Sequence, residues 1–230
     1  MHKSTVKNLG LEQIIGKKSF TLKADALHEQ VQGFKNVVID FGCGDGMLPY
    51  RLAKQNPDCF YIGIDAARES LAVASAKAAK KPSRGGCENV IFLCANVLNP
   101  LPELQEIADH LEWNFPWGSL MYALVKGDET ALQNMCATAK QGANFTFYLN
   151  LYVFENDTQR QDMNLPEIDK AYLEQTLCPQ WLRNGLKVNK FDFLPAEDLK
   201  DHPSTWAGRL LRRSGRNTLL ITGEICHGKG

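Results

Sequence analysis

Several common signals are missing from this chain of 230 residues. No apolar run approaches the ~18 residues that a membrane-spanning helix needs. The opening Met1-His2-Lys3-Ser4-Thr5-Val6-Lys7 lacks the apolar stretch of a secretion signal. There is no C-x-x-C pair, since the seven cysteines at 43, 59, 87, 94, 136, 178 and 226 are scattered. Several lie in apolar, strand-like settings such as Phe92-Leu93-Cys94. That pattern predicts reduced, buried thiols in a cytoplasm rather than disulfides or a zinc site, and no metal is expected. H-E-x-x-H is absent, and His28, His110 and His202 suggest no triad. Net charge is absent too: 26 lysines and arginines balance 26 acids, so composition alone points to no polyanionic partner. Internal repeats and low-complexity segments are also lacking. The remainder, 44% hydrophobic and 23% charged, is ordinary for a globular chain, and one domain over 1–230 is expected.

Against these absences one stretch stands out, Val37-Val38-Ile39-Asp40-Phe41-Gly42-Cys43-Gly44-Asp45-Gly46. A β-branched apolar run reads as a buried parallel strand. The glycines that end it read as a turn whose backbone must approach a ligand closely. Met47 stands where the dinucleotide fingerprint G-x-G-x-x-G needs its third glycine, so that reading fails. A second strand, Phe60-Tyr61-Ile62-Gly63-Ile64, ends in Asp65, about twenty residues past the loop, where a ribose would present two hydroxyls. The glycines Gly42, Gly44 and Gly46, with an acid before them and another at the next strand end, suggest S-adenosylmethionine. Asp40 would receive its amino group, Asp65 its ribose hydroxyls, and Asn96 and Val97 at the third strand end would meet its adenine.

Taken in order, residues 3–22 predict a β-hairpin preceding the core, and 24–34 a helix. After the cofactor strand, helices are expected over 47–55 and 67–79, the second broken by Lys81-Pro82-Ser83-Arg84-Gly85-Gly86. Residues 89–94, 107–114, 145–152, 186–194 and 217–225 read as further strands, and 119–125, 128–140, 166–181 and 205–211 as helices. The alternation fits an α/β doubly wound, Rossmann-like sheet of seven mostly parallel strands, the last antiparallel, with 1–22 as a hairpin extension. The fourth strand ends in Asn114-Phe115-Pro116-Trp117, close to the Asn-Pro-Pro-aromatic turn of amino-methyltransferases but one residue longer. From spacing alone, Trp117 reads equally as a stacking face or as a core residue. Basic residues gather at Lys77, Lys80, Lys81 and Arg84, and again at Arg209, Arg212, Arg213 and Arg216. Either cluster reads as a solvated helix face or as a nucleic-acid contact.

The glycine loop, the Phe60–Asp65 strand, Lys80-Lys81-Pro82-Ser83-Arg84-Gly85-Gly86, Phe115-Pro116-Trp117-Gly118 and Ser204-Thr205-Trp206-Ala207 occur in that order. Together they resemble the aminoglycoside-resistance 16S ribosomal RNA methyltransferases of the Kam/Npm type, the Npm branch most closely. The resemblance runs from about Leu22 to the C-terminus. It implies methylation of N1 of adenine 1408 in the assembled 30S subunit by a cytoplasmic, monomeric, S-adenosylmethionine-dependent enzyme. It further implies Pro116 and Ser119 beside the cofactor, Trp117 and Trp206 clamping a flipped adenine, and Ser204 supporting that pocket. Lys77, Lys80, Lys81 and Arg84 would track RNA phosphates, and Arg209 and Arg216 would fix the flipped nucleotide. This chain departs at Leu98, where a family relative has glutamate. It departs again at Ser214, a usual arginine position, for which Arg212 or Arg213 would substitute. A methyltransferase for another RNA site, such as a guanine N7, and an RNA-binding module with an inactive cofactor fold are the alternatives.

Overall fold

The computed structural model describes residues 11–200, 202–204, 208 and 217–226. Its first elements are β1 (Leu11–Ile15) and β2 (Lys18–Leu22), joined through a left-handed Gly16, and α1 (Ala24–Val31). Two strand–helix units follow, β3 (Asn36–Phe41) with α2 (Met47–Gln55) and β4 (Cys59–Asp65) with α3 (Arg68–Ala78), and then strand β5 (Val90–Cys94). Then come β6 (Ala108–Asn114), α4 (Gly118–Lys126), α5 (Glu129–Cys136), β7 (Ala139–Asn150) and α6 (Asp157–Asp162). Helix α7 (Lys170–Tyr172) continues through a π-helical turn, Leu173–Leu177, into α8 (Cys178–Arg183). Two strands, β8 (Leu186–Leu194) and β9 (Thr218–Ile225), end the described chain.

All nine strands among the described residues belong to one sheet, in the order β2-β1-β5-β4-β3-β6-β7-β9-β8. Strands β5, β4, β3, β6 and β7 run parallel, while β9 is antiparallel to both β7 and β8. The expected seven strands are therefore the core of a nine-stranded sheet. The hairpin expected over 3–22, of which 3–10 lie outside the described residues, precedes the core in the chain and also joins its sheet, because β1 pairs antiparallel with β5 through Glu12–Cys94 and Gln13–Leu93. No local sequence pattern announces a pairing across eighty residues.

Alternation on β3 divides the core. Val37, Ile39 and Phe41 face the layer that contains Leu27, Leu124, Leu132 and Trp181. Val38 faces the layer of α2 and α3, with Tyr61, Leu71, Ala74 and Phe92. Burial of both faces is why the strands read as near-continuous apolar runs.

Several elements differ from expectation, and the strand expected over 145–152 runs instead over Ala139–Asn150. Helix α5 stops at Cys136, not 140, because Ala139 already pairs with Ala108 of β6. Tertiary pairing there overrides the helical preference of an alanine-rich stretch. The helix expected from Pro166 starts at Lys170, where the Asp169 side chain accepts the Tyr172 N–H as an N-cap. Helix α6, capped by Asn156, was not anticipated. The cysteines are all free, but among them only Cys136 is fully buried. No helix of the described residues is long and apolar enough to cross a membrane. The helix expected over 205–211 lies, apart from Gly208, outside the described residues.

Candidate active site

The parallel strands deliver their C-terminal ends to one edge, and a cleft of about 250 Å³ opens there. Gly42 and Gly44 form one wall, Asp65 and Ala66 the next, Ala95 to Leu98 the third, and Phe115, Trp117, Ser119 and Leu120 the fourth. This is where ligands bind in open α/β sheets, beyond the carboxyl ends of strands.

The glycine loop is fastened from below, since Gly42 and Cys43 both donate backbone N–H bonds to the Ile64 carbonyl, at 2.8 and 3.0 Å. Gly44 has positive φ, and a Cβ added to it would meet nothing within 4 Å, so its backbone faces open space. Gly46 serves otherwise. It caps α2 in the left-handed region, and a Cβ there would lie 2.6 Å from the Phe92 ring. Its absence of a side chain permits the helix to pack on β5, and it does not line the cleft.

The two expected acids differ sharply. Asp65 accepts the Gly44 N–H at 2.9 Å and the Ala67 N–H at 2.8 Å, one on each oxygen, and faces the cleft. A carboxylate oxygen has room for a second donor, so both remain able to bind hydroxyls. Asp40 is only 2% exposed and sits below the cleft wall rather than in it. Its Oδ1 accepts from Asn114 Nδ2 at 3.2 Å, while Oδ2 has no partner. Burial, then the charge of Glu112, pushes its carboxyl well above the usual range, against a smaller opposing pull from Asn114. A buried carboxylate oxygen without a donor is costly. It is the group that the ammonium of an amino-acid-bearing ligand would satisfy.

Sequence reasoning missed the polar file behind Asp40. His110, Glu112 and Asn114 alternate on β6 and so share one face of the sheet. Asn114 Nδ2 donates to Glu112 Oε2 at 3.0 Å as well as to Asp40. His110 Nε2 lies 3.8 Å from Glu112 Oε1 and 3.1 Å from Thr146 Oγ1. Burial raises the Glu112 carboxyl and lowers the His110 imidazole. The period-2 spacing of three polar residues in a buried strand was the available signal.

On the substrate side, Trp117 is 61% exposed, which removes the core reading. It follows Phe115, whose φ of 56° turns the chain so that Phe115 packs inward, with Tyr148 and His202. Ser119 lines the cleft, whereas Pro116 is buried just outside it. Asn96 and Val97 line the opposite wall, with Asn96 Oδ1 accepting the Leu98 N–H at 3.1 Å. Leu98, the departure from the family pattern, gives that rim an apolar side chain.

Ser204 is buried and lies on a segment held down at two points. Arg51 Nη1 of α2 donates to the Pro203 carbonyl at 2.9 Å. His202 sets its ring edge-on to Tyr148, centroids 4.6 Å apart, and its Nδ1 accepts the Ser204 N–H at 3.1 Å. Burial lowers the His202 imidazole, in keeping with an unprotonated Nδ1. Neither Arg51 nor His202 was singled out from sequence. Lys80, Lys81 and Arg84 are exposed on the loop after α3, and Lys77 is half-buried, its Nζ 3.9 Å from Met47 Sδ. Trp206, Arg209, Arg212, Arg213 and Arg216 lie outside the described residues.

Comparison with known proteins fits this geometry. Residues 12–225 match the family model described as NpmA: 16S rRNA (adenine(1408)-N(1))-methyltransferase. An Escherichia coli protein of that name is 34% identical over 91% of this chain and 96% of its own length. The crystal structure of the 16S rRNA methyltransferase KamB superposes with a TM-score of 0.85 at 28% identity, covering 94% of this chain and all of that one. A tryptophan-to-alanine mutant of the 16S rRNA (adenine(1408)-N(1))-methyltransferase from Catenulisporales acidiphilia, solved with its cosubstrate SAM, shares the fold at a TM-score of 0.86 and 24% identity, over 96% and 99% of the two chains. With the family model spanning nearly the whole described sheet, this chain belongs to the NpmA family of 16S rRNA (adenine(1408)-N(1))-methyltransferases.

Proposed function

We propose that this methyltransferase modifies N1 of adenine 1408 in the assembled 30S subunit, and so protects ribosomes from aminoglycosides. The observation that carries the reading is the exposed Trp117 indole at the mouth of a cleft whose far walls are the glycine loop and Asp65. S-adenosylmethionine bound there supplies a methyl group on a sulfonium, whose sulfur leaves as a neutral thioether. The bare Oδ2 of Asp40 would take its ammonium, and Asp65 its ribose hydroxyls. Asn96 and Val97 would bound its adenine, with Ser119 beside the cofactor and Pro116 backing that wall from outside the cleft.

The remaining work is positioning. The adenine must leave its stack before N1 can reach the methyl. Trp117 and Trp206 would hold the flipped ring, with Ser204 behind them, and each stacked face contributes about 1–3 kcal/mol. N1 carries an in-plane lone pair, so the new N–C bond forms as the C–S bond breaks, and no proton has to be removed. The product base is cationic. Among the described residues the cleft walls hold no histidine, in keeping with a reaction that asks for orientation rather than a base.

The test is incubation of purified 30S subunits with enzyme and S-adenosylmethionine, with product mass measured and the modified base mapped by primer extension. A single methyl that arrests extension at adenine 1408 is expected. A methyl on another base, such as a guanine N7, would overturn the site assignment.

A further inference from the structure

The described cations are not spread evenly. Seven lysines and arginines lie in ion pairs with acids. Lys80, Lys81 and Arg84 are outside those pairs, as are Lys17 and Lys18 at the tip of the β1–β2 hairpin and, elsewhere in the chain, Lys23, Lys126, Arg183 and Lys200. The hairpin tip is far from the loop after α3 in sequence but not in space. The Gly16 N–H donates to Ser75 Oγ at 2.9 Å, and a Cβ on Gly16 would lie 3.5 Å from that of Ala76. Ser75 is itself locked, its Oγ donating to the Leu71 carbonyl at 2.7 Å. Ile14 and Ile15 of β1 line one groove together with Ala78, Ala79 and Lys80. The tip is thus fixed against the C-terminal half of α3, beside the helix end from which the basic loop departs.

Phe20, 49% exposed, lies across the hairpin from Gln13, and Lys18 from Ile15. These two pairs share a face, because Ile14 between them is buried. That face carries cation and apolar surface side by side, suited to a polyanion that also offers sugars and bases.

We infer that the hairpin tip, through Lys17 and Lys18 and placed by the Gly16–Ser75 hydrogen bond, is a second RNA-docking element that continues the basic loop of Lys80, Lys81 and Arg84 along the phosphate backbone of 16S rRNA. This rests on the RNA-directed activity proposed above. The rival explanation is local: lysines on an outer strand also deter edge-to-edge pairing of sheets.

The experiment measures binding of the full chain to purified 30S subunits over a range of salt, alongside S-adenosylmethionine affinity and melting. For the K17E/K18E double variant, about tenfold weaker subunit binding is expected. Its log–log salt slope should fall by about 1.4–1.8, two phosphate contacts at 0.7–0.9 each. Cofactor affinity and melting should stay put. Arg183→Glu, an exposed cation on α8, should leave binding unchanged. Ser75→Ala, which frees the tip without altering charge, should weaken binding a few-fold. An unaltered slope in the folded double variant, or an equal loss with Arg183→Glu, would overturn the inference while leaving the enzyme's activity standing. Failure of the wild-type chain to bind or methylate the subunit would instead overturn the proposed function.

Discussion

Trp113 and Trp117 are four residues apart and live in opposite surroundings. Trp113, inside β6, is fully buried, stacked on Phe41 at 5.7 Å and edge-on to Phe145 at 6.1 Å. Trp117, three residues past the end of that strand, has no ring packed on it among the described residues and gives most of its surface to solvent. The first is held by the fold and serves it. The second leaves most of its indole outside the core, which is what the proposed base clamp requires.

The sharpest way to break this comparison is to truncate both. Trp113→Ala should cost about 3–5 kcal/mol and lower the melting temperature strongly. Trp117→Ala should leave melting and cofactor affinity unchanged while abolishing measurable resistance, and Trp117→Phe should retain part of it, since a smaller aromatic face survives. A well-folded Trp117→Ala enzyme that still protects cells would remove the clamp.

The same contrast holds between the two acids, one buried with a bare oxygen and one fixed by two backbone donors. Asp40→Ala and Asp65→Ala should each weaken S-adenosylmethionine binding at least tenfold, about 1.4 kcal/mol, by calorimetry. Unchanged affinity in both would detach the acids from the cofactor.

Acidity bears on Asp40 and its neighbour Glu112. Asp40 and Glu112 are raised in the fold by burial, so the cofactor-free protein is less costly to fold with them protonated. Stability from this source is complete below the unfolded carboxylate value, about 4, and is lost as pH climbs through the raised folded values. Cofactor affinity runs the other way, because the ammonium needs an ionised Asp40. It should fall as pH drops through that range, by up to tenfold per unit. Glu112→Gln removes the repelling charge, lowers the Asp40 carboxyl and should shift the loss of binding to lower pH. An unshifted profile would separate Glu112 from the site.

The smallest effect is expected on the surface. Replacing Lys80 and Lys81 together should weaken subunit binding and flatten its salt dependence, with cofactor affinity untouched. No change in slope would make them a solvated turn.

Much of this arrangement could be read from the chain alone, for identifiable reasons. Asp40, Asp65 and the glycine loop follow from local facts: a buried run, a breaker, and a fixed βαβ spacing. Trp117 was ambiguous, because a positive φ at Phe115 decides which aromatic turns inward, and no spacing rule reports a backbone angle. The hairpin's place in the sheet, the Arg51 bond to Pro203 and the His202 packing all join residues more than fifty positions apart. Such contacts are chosen by shape once the layers meet. The Asp40–Asn114–Glu112 file lies between these cases, since its alternation was visible but its function depends on the neighbouring strand.

The insertion of β9 between β7 and β8 has a kinetic consequence. Among the described residues strand β8 has β9 as its one neighbour in the sheet, so it leaves the ribosome with no edge to join. At synthesis rates of about 5–20 residues per second, it waits until residues 218–225 have emerged. Then β9 must enter as a wedge that closes two ladders at once. Until that moment the outer flank of β7 is an open template, and a high-contact-order step stands between the nascent chain and its finished sheet. Premature release or a weakened β9 should therefore yield aggregated chains rather than a smaller folded enzyme.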